Sequence, residues 1–284
     1  IFYNSLSIDA HNITKFKSKD NEYKILFIDT KSIRSDIFES LHSFADFSVL
    51  IDNNSAFQES FDCCINPSFY APQKSFALSD KLPIILSGID YAVVRDEFLP
   101  SQFASKANKL ELKHCTLSFG GVDPNNITLK VVKYLSQYDA IMDDLVIILG
   151  SGYSHNLNLL LNYVSPHQII RDPKNMYPYF ASSYIVMTAL GVTIQELFSM
   201  GVCTGIITNY QNDTKDLKAI DYFSKKILND YHSNQINFFG HYKEINYQKL
   251  IKDIKKFKHE NKIQRPCIEM GKGWRTFLND INSI

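Results

Sequence analysis

The segment 114–136 reads HCTLSFGGVDPNNITLKVVKYLS. Its first part, His114 to Phe119, is a short apolar run of the kind that forms a buried strand. Gly120-Gly121-Val122-Asp123-Pro124 then breaks the run. Asn126 to Ser136 turns helical in period, with Asn125 or Asn126 as its cap. A strand that passes through a glycine turn into a helix is half of a βαβ unit.

The pattern repeats outward from this segment. Toward the C-terminus, Asp144 to Leu149 (DLVIIL) reads as a strand opening into Gly150-Ser151-Gly152, followed by a helix over Asn156 to Val164. Short strands follow at Gln168 to Arg171 and Tyr184 to Met187, with a short helix or turn at Met176 to Ala181 between them. Gly191-Val192-Thr193 leads into a helix from Ile194 to Met200, and Cys203 to Thr208 is the next strand. Helical periods return over Asp213 to Leu228, Tyr247 to Phe257 and Trp274 to Ile281. Toward the N-terminus, strands are expected at Tyr23 to Asp29, Phe47 to Asp52 and Cys63 to Asn66, with a helix over Ser35 to Phe44. Alternating strands and helices call for mostly parallel sheets with helices on both faces. A shift in composition near residue 108 suggests two such domains, 1–108 and 109–284.

Ligands of open parallel sheets bind at the carboxyl ends of strands. Four strand-end turns carry small or polar residues: Gly120 to Asp123, Gly150 to Gly152, Gly191 to Thr193, and Asn209-Tyr210-Gln211. Glycines let backbone N–H groups approach a phosphate, and a helix N-terminus adds partial positive charge. Thr193 and Glu196 have the spacing of a capping box, which would account for both without a ligand. Equally, Glu196 could accept two hydrogen bonds from a ribose diol. Asp143-Asp144 reads as a turn before a strand and not as a metal pair. His155 reads as a solvated loop residue, and the lysines of 249–258 as the wet face of an amphipathic helix.

The bulk properties narrow the classes further. Lys plus Arg and Asp plus Glu number 30 each, giving zero net charge, which argues against binding along a nucleic-acid backbone. No apolar run approaches the ~20 residues of a membrane helix. Five cysteines, with only Cys63 and Cys64 close together, read as reduced thiols of a cytoplasmic protein. GxSxG, HExxH, GxxxxGK[ST] and GxGxxG are all absent from the sequence.

Several stretches together carry a family resemblance: FID (27–29), LIDNN (50–54), INPSFY (65–70), SGIDYAVVRDEF (87–98), LSFGGVDPNNIT (117–128), IILGSGYSHNLNLL (147–160), GVTIQELFSMGV (191–202) and KGWRTFL (272–278). In order and spacing the series resembles the UDP-2,4-diacetamido-2,4,6-trideoxy-β-L-altropyranose hydrolases of pseudaminic acid synthesis and the related spore-coat polysaccharide proteins. These are similar in turn to glycosyltransferases of the MurG type. The resemblance implies a GT-B-like α/β fold of two Rossmann-like domains, with the nucleotide mainly on the C-terminal one. It implies that Gly120, Gly121, Asp123, Gly150 and the turn Gly191, Val192, Thr193 lie against uridine diphosphate. It also places Glu196 on the ribose and Gln211 on the phosphate or sugar. It implies a monomer that needs no metal or organic cofactor, and a reaction in which water displaces UDP from the anomeric carbon.

The sequence departs from that pattern in three places. The family's opening GxGHxxR turn, with its catalytic His, has no counterpart after Ile1, so the N-terminal domain reads as partial and no catalytic residue is assigned within the chain. Lys31 stands where the family often has Tyr, and Tyr210-Gln211 stands for an Asn-Gln pair. Three readings follow: a UDP-sugar hydrolase, a glycosyltransferase of the same fold, and a nucleotide-sugar-binding module without turnover.

Overall fold

The computed structural model describes residues 23–29, 45–52, 61–68, 83–99, 111–210, 217–218, 220, 236–260 and 269–281. The chain divides into two compact units, one of Ile1–Ala92 with Gly271–Ile284 and the other of Val93–Met270. The divisions thus fall after Ala92 and after Met270, whereas composition suggests a single boundary after residue 108.

The first unit holds four strands, β1 (Tyr23–Asp29), β2 (Ala45–Ile51), β3 (Cys63–Asn66) and β4 (Ile84–Ser87). All pair parallel, in the order β1-β2-β3-β4. Asp29 lies opposite Ile51, and Ile51 opposite Ile65, so the carboxyl ends of β1, β2 and β3 are level. Val49, Cys63, Ile65 and Leu86 form the centre of this unit's core.

The second unit is larger. In chain order it runs β5 (His114–Ser118), α1 (Ile127–Leu135), α2 (Asp139–Met142), β6 (Leu145–Leu149), α3 (Leu157–Leu161), β7 (Ile169–Arg171) and α4 (Tyr177–Ala181). It continues with β8 (Ser183–Thr188), α5 (Val192–Ser199), β9 (Thr204–Thr208), β10 (Ile236–His241) and α6 (Tyr247–Glu260). The six strands are parallel, in the order β10-β9-β8-β5-β6-β7. This is the doubly wound order in which the chain builds one half of the sheet outward from β5 and then returns to build the other half outward from β8.

The continuous apolar character of the strands follows from burial on both faces. Along β6, Leu145, Ile147 and Leu149 join one core while Ile148 joins the other. Along β8, Ile185 and Met187 face the first core and Val186 the second. Against the first core pack Val131, Val132 and Leu135 of α1, with Leu250, Ile254 and Phe257 of α6. Phe180 of α4 and Leu197 of α5 pack against the second. Each such wholly buried side chain contributes about 1.5–3 kcal/mol. The exposed side of α6 carries Lys252, Lys255 and Lys256, as the helical period of that segment predicts.

Two strands escaped the sequence reading. β4 is four residues long and runs straight into Gly88. β10 buries only Phe239 and contains Gly240, so its hydrophobic pattern is faint. The helix expected over Ser35 to Phe44 lies outside the described residues, and of that expected over Asp213 to Leu228 only 217, 218 and 220 are described, all helical.

The last helix, α7 (Lys272–Ile281), belongs to the first unit. Gly271 N–H donates to the Ile89 carbonyl at 3.0 Å, and the Trp274 indole N–H donates to the Tyr91 carbonyl at 2.8 Å. The Trp274 ring meets Tyr91 and Phe277 edge-on. Among the described residues no helix is long and apolar enough to cross a membrane. Cys63, Cys64, Cys115 and Cys203 are buried and form no disulfide.

Candidate binding site

Because β5 and β8 are neighbours that start opposite halves of the sheet, the turns leaving their carboxyl ends diverge and leave a crevice. The turn after β5 carries Gly120, Gly121 and Asp123, and the turn after β8 carries Gly191, Val192 and Thr193. Two of the four strand-end turns singled out in the sequence therefore flank one crevice. The turn after β6 supports the first of them, and Asn209 at the end of β9 is tied to it. The Asn125 side-chain amide donates to the Asn209 side-chain oxygen at 3.0 Å and to its carbonyl at 3.2 Å.

The β5 turn is shaped by its own residues and by the β6 turn. Gly120 adopts a left-handed φ of 85° and is exposed, as is Gly121. Gly150 packs so closely that a Cβ there would stand 2.4 Å from the Gly121 Cα, so only glycine fits. Gly152 N–H donates to the Gly121 carbonyl at 3.0 Å. The Tyr153 hydroxyl donates to Asn126 Oδ1 at 2.9 Å, and burial pushes that phenol up to about 12, which keeps it a donor. His155, expected to be solvated, donates from Nε2 to the Asp123 carbonyl at 2.8 Å.

Asp123 has a different task from the one expected of a nucleotide contact. It is 2% exposed, with its Oδ1 accepting from Ile127 N–H at 2.8 Å and its Oδ2 from Thr128 N–H at 2.9 Å. The carboxylate thereby caps α1, and Asn126, at the formal cap position, makes no side-chain cap bond. An anionic cap already fills this helix N-terminus, and a phosphate there would meet like charge.

The start of α5 contrasts with this. Its cap position is Gly191, which has an extended backbone and no side chain to offer, while Ile194 N–H reaches the Gly191 carbonyl at 3.2 Å. Thr193 lies inside the first turn, so the capping box suggested by Thr193 and Glu196 does not form. Gly191 and Val192 are exposed. The crevice thus has one helix start sealed by a carboxylate and one with a glycine cap. Val122 and Val192, one in each turn, are both more than half exposed.

Glu196 is 3% exposed and lies one turn into α5. Arg95 grips it at two points, Nε to Oε1 at 2.7 Å and Nη2 to Oε2 at 3.2 Å. Burial raises the Glu196 carboxyl above the usual range, against the pull of Arg95. The hydrogen bond to Glu196 in turn raises the Arg95 guanidinium. The whole segment 93–99 is fastened to α5. Val93 N–H donates to the Gln195 side chain at 2.9 Å, the Ser199 hydroxyl donates to the Phe98 carbonyl at 2.9 Å, and Phe98 lies against Phe180. These contacts explain why the second unit begins at Val93. Arg95 lies within SGIDYAVVRDEF, where nothing local marks it as the partner of a residue 101 positions later.

Gln211 lies outside the described residues. Among the described residues no group of three His, Cys, Asp or Glu side chains could hold a metal. Asp144 is paired with Lys258 Nζ at 2.6 Å and receives the Tyr184 hydroxyl at 3.4 Å. A separate cavity of about 440 Å³, lined by Met142, Leu161 and Gln168 among others, lies at the amino ends of β6 and β7, the opposite end from the crevice.

No family model matches the chain. An uncharacterized protein of Methanocaldococcus jannaschii is 25% identical over 227 residues, 76% of this chain and 46% of that protein, so the chain spans about half the length of this relative. Among solved structures, a Listeria monocytogenes protein assigned as a UDP-N-acetylglucosamine 2-epimerase superposes with a TM-score of 0.53 at 10% identity, over 96% of this chain and 77% of that one. An E. coli trehalose-6-phosphate structure bound with UDP-2-fluoro glucose gives 0.39 at 9% identity, over 96% and 76%, too low to bear on the fold. The chain has a GT-B-like α/β fold, two Rossmann-like units each built on a parallel sheet.

Proposed function

We propose that the crevice between the β5 and β8 turns binds the uridine diphosphate part of a nucleotide sugar, and that the protein releases UDP by hydrolysis. The observation that carries this reading is the meeting of two exposed glycine turns at the sheet's switch point, one of them opening the glycine-capped helix α5. In this reading the backbone N–H groups of Gly120 and Gly121 and of the Gly191–Thr193 turn take the diphosphate, and Glu196 accepts a ribose hydroxyl. Asp123 and Gly150 serve the site by fixing the shape of the β5 turn. The resemblance of GVTIQELFSMGV and LSFGGVDPNNIT to nucleotide-sugar proteins supports the nucleotide, as does the name carried by the Listeria protein of similar fold. In the reaction a water oxygen attacks the anomeric carbon, the bond from that carbon to the β-phosphate oxygen breaks, and the water's proton is lost to a base.

Calorimetric titration with UDP, with CMP and GDP as controls, tests the site. Selective UDP binding is expected, weakened by Glu196→Ala by roughly 1.5–3 kcal/mol, the worth of a charged hydrogen bond. Equal binding of all three nucleotides, or of none, would overturn the assignment. UDP release from UDP-sugars without an acceptor distinguishes the hydrolase from a transferase, which would release UDP only when an acceptor is added.

A further inference from the structure

Arg95 is the one cation paired with Glu196 among the described residues, and its surroundings are unusually constrained. Its guanidinium spans both Glu196 oxygens. Its outer Nη1 lies 3.4 Å from Glu97 Oε1, a buried oxygen without a hydrogen-bond partner. Its carbon sits 4.8 Å over the Phe98 ring, and the segment is fastened at Val93 and Phe98. Among the described residues the charged groups facing Glu196 are therefore Arg95, on the strap formed by residues 93–99, and Glu97 beside it. A carboxylate has about four lone-pair sites, and the two-point contact uses one on each oxygen. The fork takes the facing lone pair of each oxygen. The outward lone pair of each oxygen remains, in a plane fixed by the guanidinium, and because the two point apart each suits a single hydroxyl.

We propose that Arg95 is a positioning residue for ribose recognition, holding the buried Glu196 ionised and oriented so that an outward lone pair can accept a ribose hydroxyl. This rests on the reading of Glu196 as the ribose ligand. Without Arg95 the carboxyl would face only Glu97 and low-dielectric surroundings, and it would take up a proton more readily. A protonated Glu196 offers fewer acceptor sites, so the cost of losing Arg95 grows as pH falls.

The test pairs a ligand-dependent with a ligand-independent measurement on the full chain. UDP affinity is titrated between about pH 5 and 8 for wild type, Arg95→Gln and Arg95→Lys. Each variant is expressed as its ratio to wild type, so that the nucleotide's own ionisation cancels. Carbon-13 NMR of the glutamate carboxyls, with Glu196→Gln for assignment, follows the Glu196 titration directly. R95Q is expected to bind about tenfold or more weakly at the acid end, to recover as pH rises, and to shift the Glu196 titration upward. R95K, which keeps the charge but not the fork, is expected to show a smaller deficit that does not vary with pH. UDP binding by wild type with an R95Q deficit that is flat in pH, or with none, would overturn the role of Arg95 and leave the UDP site intact. Failure of wild type to bind UDP would remove both. In that case the NMR titration would still show whether Arg95 holds the charge on Glu196. Should R95Q fail to fold, R95K with an unchanged profile and unchanged affinity would be the overturning result.

Discussion

Replacing Asp123 separates a shape-giving residue from a ligand contact. Its carboxylate accepts from two backbone N–H groups, of Ile127 and Thr128, in residues that are 0% and 1% exposed. Asp123→Ala strips both bonds and leaves two buried donors. A lost N-cap costs about 0.5–2 kcal/mol, and a stranded buried donor about 1–3 kcal/mol. With partial relaxation at the helix end, we expect a loss of about 2–3 kcal/mol. For a unit of this size each kcal/mol lowers Tm by about 2–4 °C, so the melting point should fall by about 4–12 °C. Asp123 also has a left-handed φ of 46°. Asp123→Gly relieves that strain while losing the cap, and should be milder than Asp123→Ala by up to about 1 kcal/mol. Asp123→Asn keeps one acceptor oxygen and should lose about half as much as alanine. Thermal and urea unfolding of the series gives the ranking wild type, Asn, Gly, Ala. If Asp123→Ala melted with wild type and lost only UDP affinity, the carboxylate would be a ligand contact and not a cap.

Gly150→Ala should displace the β5 turn, because its new Cβ would stand 2.4 Å from the Gly121 Cα. An unchanged UDP affinity would show that the turn's position does not matter. Glu196 titrates higher in the folded protein than in the unfolded chain, so the folded state binds more protons just above the usual carboxylate range, and stability there falls as pH rises. Urea midpoints measured across that window should show this slope in wild type, and a flatter one in Glu196→Gln. Lys258→Ala removes a partly exposed ion pair to Asp144, and should cost under about 1 kcal/mol in urea unfolding. Treatment with EDTA should leave UDP affinity unchanged, and a large loss would mean that a metal takes part.

How much of this was legible in the sequence depended on how local the signal was. β5, β6, β8 and β9 stood out because strands covered on both faces are apolar without interruption. β10 did not, because only Phe239 is buried along it. The glycine turns at the ends of β5 and β8 were legible, yet their meeting at one crevice depends on strand order, which no local pattern encodes. Thr193 and Glu196 have capping-box spacing but do not use it, since Glu196 is drawn to Arg95 from another part of the chain. Asp123 was legible as part of a glycine turn but not as the cap of α1, because Asn125 and Asn126 stand nearer the helix and are equally good cap types.

The fastening of residues 93–99 to α5 bears on how the larger unit can be isolated. A fragment begun at residue 109 would lack Arg95 and Phe98. It would leave the buried Glu196 without its cation, empty the place of Phe98 beside Phe180 and Leu197, and free the Gln195 and Ser199 side chains of their partners. An unpaired buried carboxylate and an opened core pocket are each enough to destabilise a unit by several kcal/mol. The excision that keeps these contacts is Val93–Met270, a piece that carries its own strap.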